Sequence, residues 1–267
     1  MILYDEPQDV VAKAMRGLGI PSDRIHAVPQ VELASFLAGN FDPELARQIA
    51  PALGLAPEAL ATLPSYRPAP EPPAGVSRIE VPFDDETVNI WLIEVEDTVI
   101  VIDAGTRPDD LARLLAARGM DPVHLLITHE HRDHVGGIAA AKGRIASLHA
   151  RSRFDLDESA NEVDPGGSFA LGPLTIEVFE LRGHHPRALG YQIQGSGLNL
   201  LAVGDAIFAG SLGGCPDPEA FRTARRTIEA LIDHRDPDTF LLTGHGAGTS
   251  LASELVANPF LAAWSRS

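Results

Sequence analysis

The 267-residue sequence predicts an α+β fold, a four-layer αββα sandwich that follows a small helical region. Two blocks of short, β-branched-rich runs are each followed by helical segments, the order expected when two stacked sheets carry helices on their outer faces. The apolar period changes from helical to alternating near position 76. We therefore predict a helical N-terminal region in residues 1–63, a linker in 64–75 and a domain in 76–267.

The helical N-terminal region shows apolar residues at helical spacing. Leu45, Ile49 and Leu53 fall four residues apart, and the segment 32–60 weakly resembles the helix-turn-helix of DNA-binding regulators. However, residues 1–75 contain five Lys or Arg against nine Asp or Glu, whereas a module that reads a DNA groove needs a basic face. We expect this region to serve in packing, in homo-oligomerisation or in covering an active site.

Residues 64–75 contain five prolines, a density that favours extended backbone and predicts a linker. Strands are predicted next at 77–83, 88–95 and 98–102, because these runs are β-branched and are separated by acidic pairs. A helix follows Thr106 and ends at Gly119.

The rest of the chain repeats this order of strands followed by helices. A strand at 123–127 is followed by a short alanine-rich helix at 138–142 and by a strand at 144–149, after which the polar stretch 151–167 predicts loops. Further strands are predicted at 174–180, 189–194, 198–203 and 239–243, with an amphipathic helix capped by Asp217 before the last of them.

Composition limits the function classes open to the chain. With 45% hydrophobic and 22% charged residues it has an ordinary globular composition. The net charge of -16 would repel a phosphate backbone, so we expect a small-molecule substrate and no nucleic-acid partner. A single cysteine, no signal-peptide pattern and no apolar run of membrane-spanning length favour a cytoplasmic protein without membrane contact.

The stretch 128–137 carries the strongest chemical signal. It follows the apolar run 125–127, ends in a glycine pair, and places four metal-competent side chains within six residues: His129, His131, Asp133 and His134. We interpret it as a loop at the end of a strand, because a continuous helix or strand would not let all four side chains converge. Imidazole and carboxylate suit zinc, iron or manganese, and no thiolate narrows the choice.

Three later strand ends show the same arrangement, a polar metal-competent residue next to glycine. They are Gly183-His184-His185, Gly204-Asp205 and Gly244-His245-Gly246. One such turn alone is more often structural. Four of them in one chain, including the histidine cluster, indicate the catalytic centre of a metalloenzyme.

These motifs, with Val101-Ile102-Asp103-Ala104-Gly105, resemble the metallo-β-lactamase fold superfamily over about residues 76–261. The turn after Asp205 and the late Asn258-Pro259-Phe260-Leu261 resemble its glyoxalase II-like (hydroxyacylglutathione hydrolase-like) branch. The resemblance implies one metal on His129, His131 and His184, a second on Asp133, His134 and His245, and Asp205 as a bridge. It also implies that Asp103 supports the metal loop through hydrogen bonds, and it favours His184 over His185 as the ligand, leaving His185 as a neighbour of the site.

The implied chemistry is hydrolysis of a thioester or a related ester. Two divalent cations, zinc with iron or manganese as alternatives, would hold a bridging hydroxide as the nucleophile, with Asp205 and Asp133 as the catalytic carboxylates. Arg187 and Tyr191 follow the Gly183-His184-His185 turn and are predicted substrate contacts. Only 22 residues follow His245 in this sequence, so we expect it to lack the C-terminal glutathione pocket of the longer hydrolases.

Two enzymatic alternatives and one non-enzymatic alternative remain open. A persulfide dioxygenase with a single iron resembles the same motifs, and a lactonase would use a similar metal pair. The non-enzymatic hypothesis is a regulator whose N-terminal segment binds DNA while the metal domain senses a ligand.

Overall fold

Two six-stranded sheets form the centre of the molecule in the computed structural model, which describes residues 3–152, 154, 160–233 and 235–265. The first sheet consists, in spatial order, of β1 (Val76–Phe83), β2 (Glu86–Val95), β3 (Thr98–Ile102), β4 (Val123–Leu126), β5 (Ile145–Ala150) and β6 (Ala160–Glu162). The second consists of β7 (Ser168–Leu171), β8 (Leu174–Glu180), β9 (Leu189–Gly195), β10 (Leu198–Gly204), β11 (Phe240–Thr243) and β12 (Thr249–Ser250).

Ten α-helices surround these sheets in the described part of the chain. Four precede the first strand: α1 (Pro7–Leu18), α2 (Gln30–Leu37), α3 (Pro43–Ile49) and α4 (Pro57–Thr62). Three lie between strands of the first sheet: α5 (Asp110–Arg118), α6 (Arg132–Val135) and α7 (Ile138–Ala141). The others are α8 (Pro218–Ile232), α9 (Leu251–Ala257) and α10 (Leu261–Trp264).

The strand directions bring the predicted metal turns to one edge of the sandwich. In the first sheet β3 and β4 run parallel, and in the second β10 and β11 run parallel. The carboxyl ends of parallel neighbours meet at the same sheet edge. Asp103 and the histidine stretch therefore follow β3 and β4 side by side, and Asp205 and His245 follow β10 and β11.

The core between the sheets is apolar and aromatic. Trp91 and Leu126 from the first sheet pack with Val178, Tyr191 and Phe240 from the second. The rings of Trp91 and Phe240 meet edge to face, with centroids 6.0 Å apart. Burial of this face on both sheets explains why the inward positions of the strands are apolar.

Helices cover both outer faces, which confirms the predicted four-layer αββα sandwich. On the first sheet α5 buries Leu111 and Leu115. On the second, α8 begins where the Asp217 side chain accepts hydrogen bonds from the backbone N–H groups of residues 219 and 220, and it buries Phe221 and Ile228.

The N-terminal region is helical, as predicted, and it shares a core with the sandwich. Val10 of α1 and Leu33 of α2 belong to the same hydrophobic cluster as Phe221 of α8 and Trp264 of α10. The backbone N–H of Ala56 donates to the carbonyl of residue 259 at 2.8 Å. The N-terminal helices thus extend the helical layer over the second sheet instead of standing apart from it.

The predicted linker begins within a short 3-10 helix, Leu63–Ser65, continues without helix or strand over residues 66–75, and is attached to the sandwich. The Tyr66 hydroxyl donates to Glu254 of α9 at 2.6 Å, and the carbonyl of Ala69 accepts from the backbone N–H of Ser250 at 3.1 Å. The predicted loop 151–167 includes the short strand β6, which extends the first sheet; residues 153 and 155–159 of that prediction lie outside the described residues. No helix in the described ranges is long and apolar enough to cross a membrane.

Candidate metal centre

The histidine stretch, residues 128–137, starts two residues after β4 and includes one helical turn. His131 is the N-cap of α6, so Asp133 and His134 lie on a short helix and not in the fully irregular loop that the sequence suggested. The change of direction at this cap separates His129 and His131 from the other two side chains. Because a loop is followed by a helical turn, His129 and His131 can face one point while Asp133 and His134 face a second point nearby.

Three imidazole nitrogens form the first donor group. His129 Nε2 lies 3.1 Å from His131 Nδ1, and His184 Nε2 lies 3.0 Å from the same His131 atom. All three ligand atoms fall within 4.8 Å of one another. A tetrahedral zinc with bonds of about 2.0–2.1 Å to nitrogen has ligand atoms about 3.3 Å apart, so these spacings fit donors on one small cation.

The second donor group combines a carboxylate with two imidazoles. Asp133 Oδ2 lies 3.2 Å from His134 Nε2 and 3.3 Å from His245 Nε2. The three side chains are buried. Carboxylate and imidazole together are a common donor set for zinc, iron and manganese.

Asp205 lies between the two donor groups. Its Oδ2 is 3.4 Å from His184 Nε2 of the first group and 3.4 Å from His245 Nε2 of the second, and its Oδ1 is 3.4 Å from His134 Nε2. The chain passes very close here, since a Cβ atom on Gly244 would lie 2.0 Å from Asp205 Oδ1. Glycine at position 244 therefore makes room for this carboxylate.

Two atoms at the centre lack hydrogen-bond partners. His134 Nε2 and Asp205 Oδ1 are fully buried and make no hydrogen bond. A buried polar atom without a partner costs about 1–3 kcal/mol unless something else satisfies it. Both atoms face the point where the donors converge, so the residues present fit a bound cation.

Hydrogen bonds on the far side of each ring set the tautomers. His184 Nδ1 donates to the carbonyl of Gly214 at 2.8 Å, and His245 Nδ1 donates to the carbonyl of Thr87 at 2.6 Å. Because Nδ1 carries the hydrogen, the Nε2 lone pair of each ring points to the centre. Such outer hydrogen bonds orient the ligand histidines of metal sites.

Asp103 supports both donor groups. Its Oδ2 accepts from His134 Nδ1 at 2.7 Å and from the Thr128 hydroxyl at 2.7 Å, and its Oδ1 accepts from the backbone N–H of Thr128 at 2.8 Å. Since the Thr128 hydroxyl gives its hydrogen to Asp103, its oxygen accepts from His129 Nδ1 at 3.1 Å. One buried carboxylate thus fixes a tautomer in each group.

Burial and charge act differently on the histidines of the two groups. In the first group, burial lowers the pKa of His129 and of His184. In the second, burial would lower the pKa of His134, but Asp205 and Asp103 hold it well above its ordinary value. The nearby carboxylates of Asp133 and Asp205 likewise overcome burial and raise the pKa of His245 to about 9.

The same contacts act in the opposite direction on the carboxylates. Burial would raise the pKa of Asp205, but the neighbouring imidazoles, His134 foremost, hold it well below its usual range. The pKa of Asp133 is also lowered, because the adjoining imidazoles of His134 and His245 outweigh the effect of its burial. Both carboxylates are therefore ionised and able to bind a cation.

His185 and Arg187, which come just after the candidate ligand His184, lie in different surroundings. His185 lies next to the first donor group, with its ring centroid 4.9 Å from that of His131, but it belongs to no donor group among the described residues. Arg187 is exposed, faces Glu130 at 3.4 Å and donates to the carbonyl of Arg151 at 2.7 Å. It lines a cleft of about 240 Å³, and no candidate ligand is among the residues that line this cleft.

The prediction that Tyr191 contacts substrate is wrong in this structure. Tyr191 is completely buried between the sheets, and its hydroxyl donates to the carbonyl of Ile127 at 2.9 Å and is 3.2 Å from that of His149. Alternation along β9 places it on the same inward face as Leu189 and Ile193. The ring packs the core, and its hydroxyl holds the strand end that precedes the histidine stretch.

Sequence reasoning missed three contributors to the site. Thr87 and Gly214 act through backbone carbonyls, so their side chains give no signal. Tyr4 lies far away in the sequence, yet its ring stacks on His245 with centroids 4.6 Å apart. Thr128 was part of the recognised stretch, but its place between Asp103 and His129 becomes visible only in the fold.

Comparison with known proteins agrees with this geometry. The family model of the metallo-β-lactamase superfamily matches residues 83–245, more than half of the chain. The probable metallo-hydrolase YqgX of Bacillus subtilis is 23% identical over 207 residues, which cover 68% of this chain and 95% of that protein. A hydroxyacylglutathione hydrolase of Glaesserella parasuis is 29% identical over 125 residues, which cover 46% of this chain and 52% of that enzyme.

Among solved structures, TTHA1623 in a di-iron-bound form is 25% identical, with a TM-score of 0.53 over 68% of this chain and all of that one. The N-terminal 75 residues of the sequence lie before the family match. The match does include every candidate ligand, from His129 to His245. On the model match and the fold together, this chain belongs to the metallo-β-lactamase superfamily.

Proposed function

We propose that the chain is a hydrolase of a thioester or a related ester that uses two divalent metal ions, zinc in the first place, with iron or manganese as alternatives. The observation that carries this proposal is the pair of donor groups that share Asp205. His129, His131 and His184 would hold one ion, and Asp133, His134 and His245 the other. The buried, unpartnered atoms of His134 and Asp205 support the assignment, since each needs a partner.

Two bound ions would supply a Lewis acid for a substrate carbonyl and would lower the pKa of a nearby water from about 15.7 toward 7. The chain's own residues do the rest. Asp205 keeps the two donor groups at a fixed separation. The ionised carboxylate of Asp133 lies at the same centre and is proposed to accept the proton of the attacking water and pass it to the leaving group.

The thioester class is proposed from the relatives. Hydroxyacylglutathione is a thioester, and the enzyme of that name in Glaesserella parasuis shares the matched segment. This chain covers about half of that enzyme. We therefore do not propose that this chain uses the same thiol carrier as that enzyme. We propose a small molecule as the partner, with Arg187 as a substrate contact. We propose no contact with nucleic acid or with a membrane.

A substrate panel tests the proposal. The purified protein would be assayed for thiol release from acyl thioesters, for lactone opening and for oxygen uptake on glutathione persulfide. We expect thiol release that a chelator stops and added zinc restores. Oxygen consumption with one iron per chain would contradict the hydrolase and favour a persulfide dioxygenase. Lactone opening without thiol release would replace the thioester by a lactone as the substrate class.

A further inference from the structure

The start of the chain lies directly on the second donor group. The Tyr4 ring stacks on the His245 imidazole, with centroids 4.6 Å apart and planes 27° from parallel. Among the ring contacts of the described residues, Tyr4 touches none of the other candidate ligand histidines. A residue that precedes the family match by almost eighty positions thus contacts one side of the metal centre.

Tyr4 is held there by three parts of the sandwich. Its hydroxyl donates to Glu86 at the start of β2, and its ring meets Phe208 edge to face at 4.9 Å. Gly246 allows the close approach, because a Cβ at that position would lie 3.1 Å from the Cβ of Tyr4. Gly246 also has a φ of +67°, which disfavours any other residue.

The stack of Tyr4 on His245 restricts a rotation of the imidazole that its hydrogen bond to Thr87 leaves free. The bond from His245 Nδ1 to the carbonyl of Thr87 holds one ring atom, but the ring can still pivot about that contact. Tyr4 on one face, with the edge-to-face contact of Phe208 at 5.7 Å, restricts the plane of the imidazole. His245 Nε2 is then held facing Asp133 and Asp205, at 3.3 and 3.4 Å.

The first donor group has a different kind of support. His184 is held by the carbonyl of Gly214 and His129 by Thr128, both from the sandwich itself. A change in the N-terminal segment should therefore act on one donor group and not on the other. This asymmetry separates a specific role of Tyr4 from a general loosening of the fold.

We propose that Tyr4 is a positioning residue for the second metal ion, so that the N-terminal region is a working part of the metal centre. The proposal rests on the proposed function, because it takes the two donor groups as metal sites. It adds that the second site is completed by a segment outside the family match. The ring of Tyr4 carries this role, and its hydroxyl serves to hold the ring in place through Glu86.

Zinc titration of the metal-free full-length chain tests the proposal by calorimetry. We expect two binding events in the wild type. A His245→Ala variant identifies the event that belongs to the second group. Tyr4→Ala should weaken that same event by about tenfold or more, the usual effect of removing a support of a metal ligand, and should leave the other event unchanged. Tyr4→Phe keeps the ring and should restore affinity to within about threefold of wild type.

Tyr66→Ala is the matched control, since Tyr66 also lies in the N-terminal part and bonds a glutamate, but does not touch a donor group. It should leave both events unchanged. If Tyr4→Ala does not fold, Tyr4→Leu preserves bulk without the flat ring and should show the same selective loss. Unchanged zinc affinity in Tyr4→Ala and Tyr4→Leu, or equal loss from both events, would overturn the inference alone. A wild type that binds no zinc would overturn the proposed function itself.

Discussion

The two donor groups differ in what surrounds them. The first is built from three imidazoles, and its His184 side chain keeps 18% of its surface exposed. The second contains a carboxylate, and its His134 and His245 side chains are 0% and 3% exposed. Burial lowers the pKa of His129 and His184 in the first group, whereas nearby carboxylates raise the pKa of His134 and His245 in the second.

This difference suggests separate tasks. The more open first group leaves room for a substrate beside the ion that it would hold. The second is enclosed by buried charge and by the aromatic rings of Tyr4 and Phe208, which suits an ion held mainly to organise the centre. Asp205 is the side chain common to both, and Asp103 is the support common to both.

The largest effect is expected from Asp205, because its change affects both groups at once. Asp205→Ala should abolish turnover, a loss of at least about a thousandfold, while circular dichroism shows an intact fold. His131→Ala should do the same through the first group alone. Full activity in the Asp205 variant would show that the shared carboxylate is not needed for turnover.

A smaller effect is expected from the residues that hydrogen-bond to the ligand histidines. It distinguishes the two donor groups. Thr128→Val removes the hydroxyl between Asp103 and His129 and should weaken zinc at the first group by about tenfold, with the second unchanged. Asp103→Asn should weaken zinc at both groups by about 10–100-fold, since this carboxylate also bonds His134. Competition with a chromophoric chelator would measure both. Equal behaviour of the two variants would contradict the hydrogen-bond paths described above.

The last expected effect is on the stability of the fold and not on zinc binding. It concerns a buried histidine outside both groups. His149 stacks on Phe169 and contacts no carboxylate among the described residues, and burial lowers its pKa to about 4. Its folded pKa lies below the unfolded value of about 6.5, so its neutral form stabilises the fold above pH 6.5 and this contribution is lost as pH falls toward 4.

Urea unfolding of wild type and His149→Gln from pH 7 to pH 4 would measure this loss. Relative to the variant, the wild type should lose on the order of 2 kcal/mol of unfolding free energy, with no change in zinc affinity. A pH-independent difference between the two proteins would show that burial of His149 has no effect on its titration.

Much of the sandwich and of the site could be predicted from local sequence. Strand runs that end in a glycine and a metal-competent residue mark positions such as His184, Asp205 and His245, because a turn at a strand end exposes its side chain at the sheet edge. The four-layer order followed from the alternation of strand blocks and helices.

Other features depend on the folded chain. Tyr191 was assigned to the substrate side because it follows a metal turn, although strand alternation with Leu189 and Ile193 places it inward. The stack of Tyr4 on His245 joins residues 241 positions apart, and no local pattern encodes such a contact. The support of His245 by a backbone carbonyl is likewise independent of the side chain at Thr87.

The most direct measurement is the number and identity of metal ions per chain in freshly purified full-length protein, by elemental analysis of wild type, His131→Ala and His245→Ala. The account predicts two divalent ions in the wild type and one in each variant. A wild type that holds a single ion, lost entirely in the His131 variant and fully retained in the His245 variant, would contradict the two-metal centre.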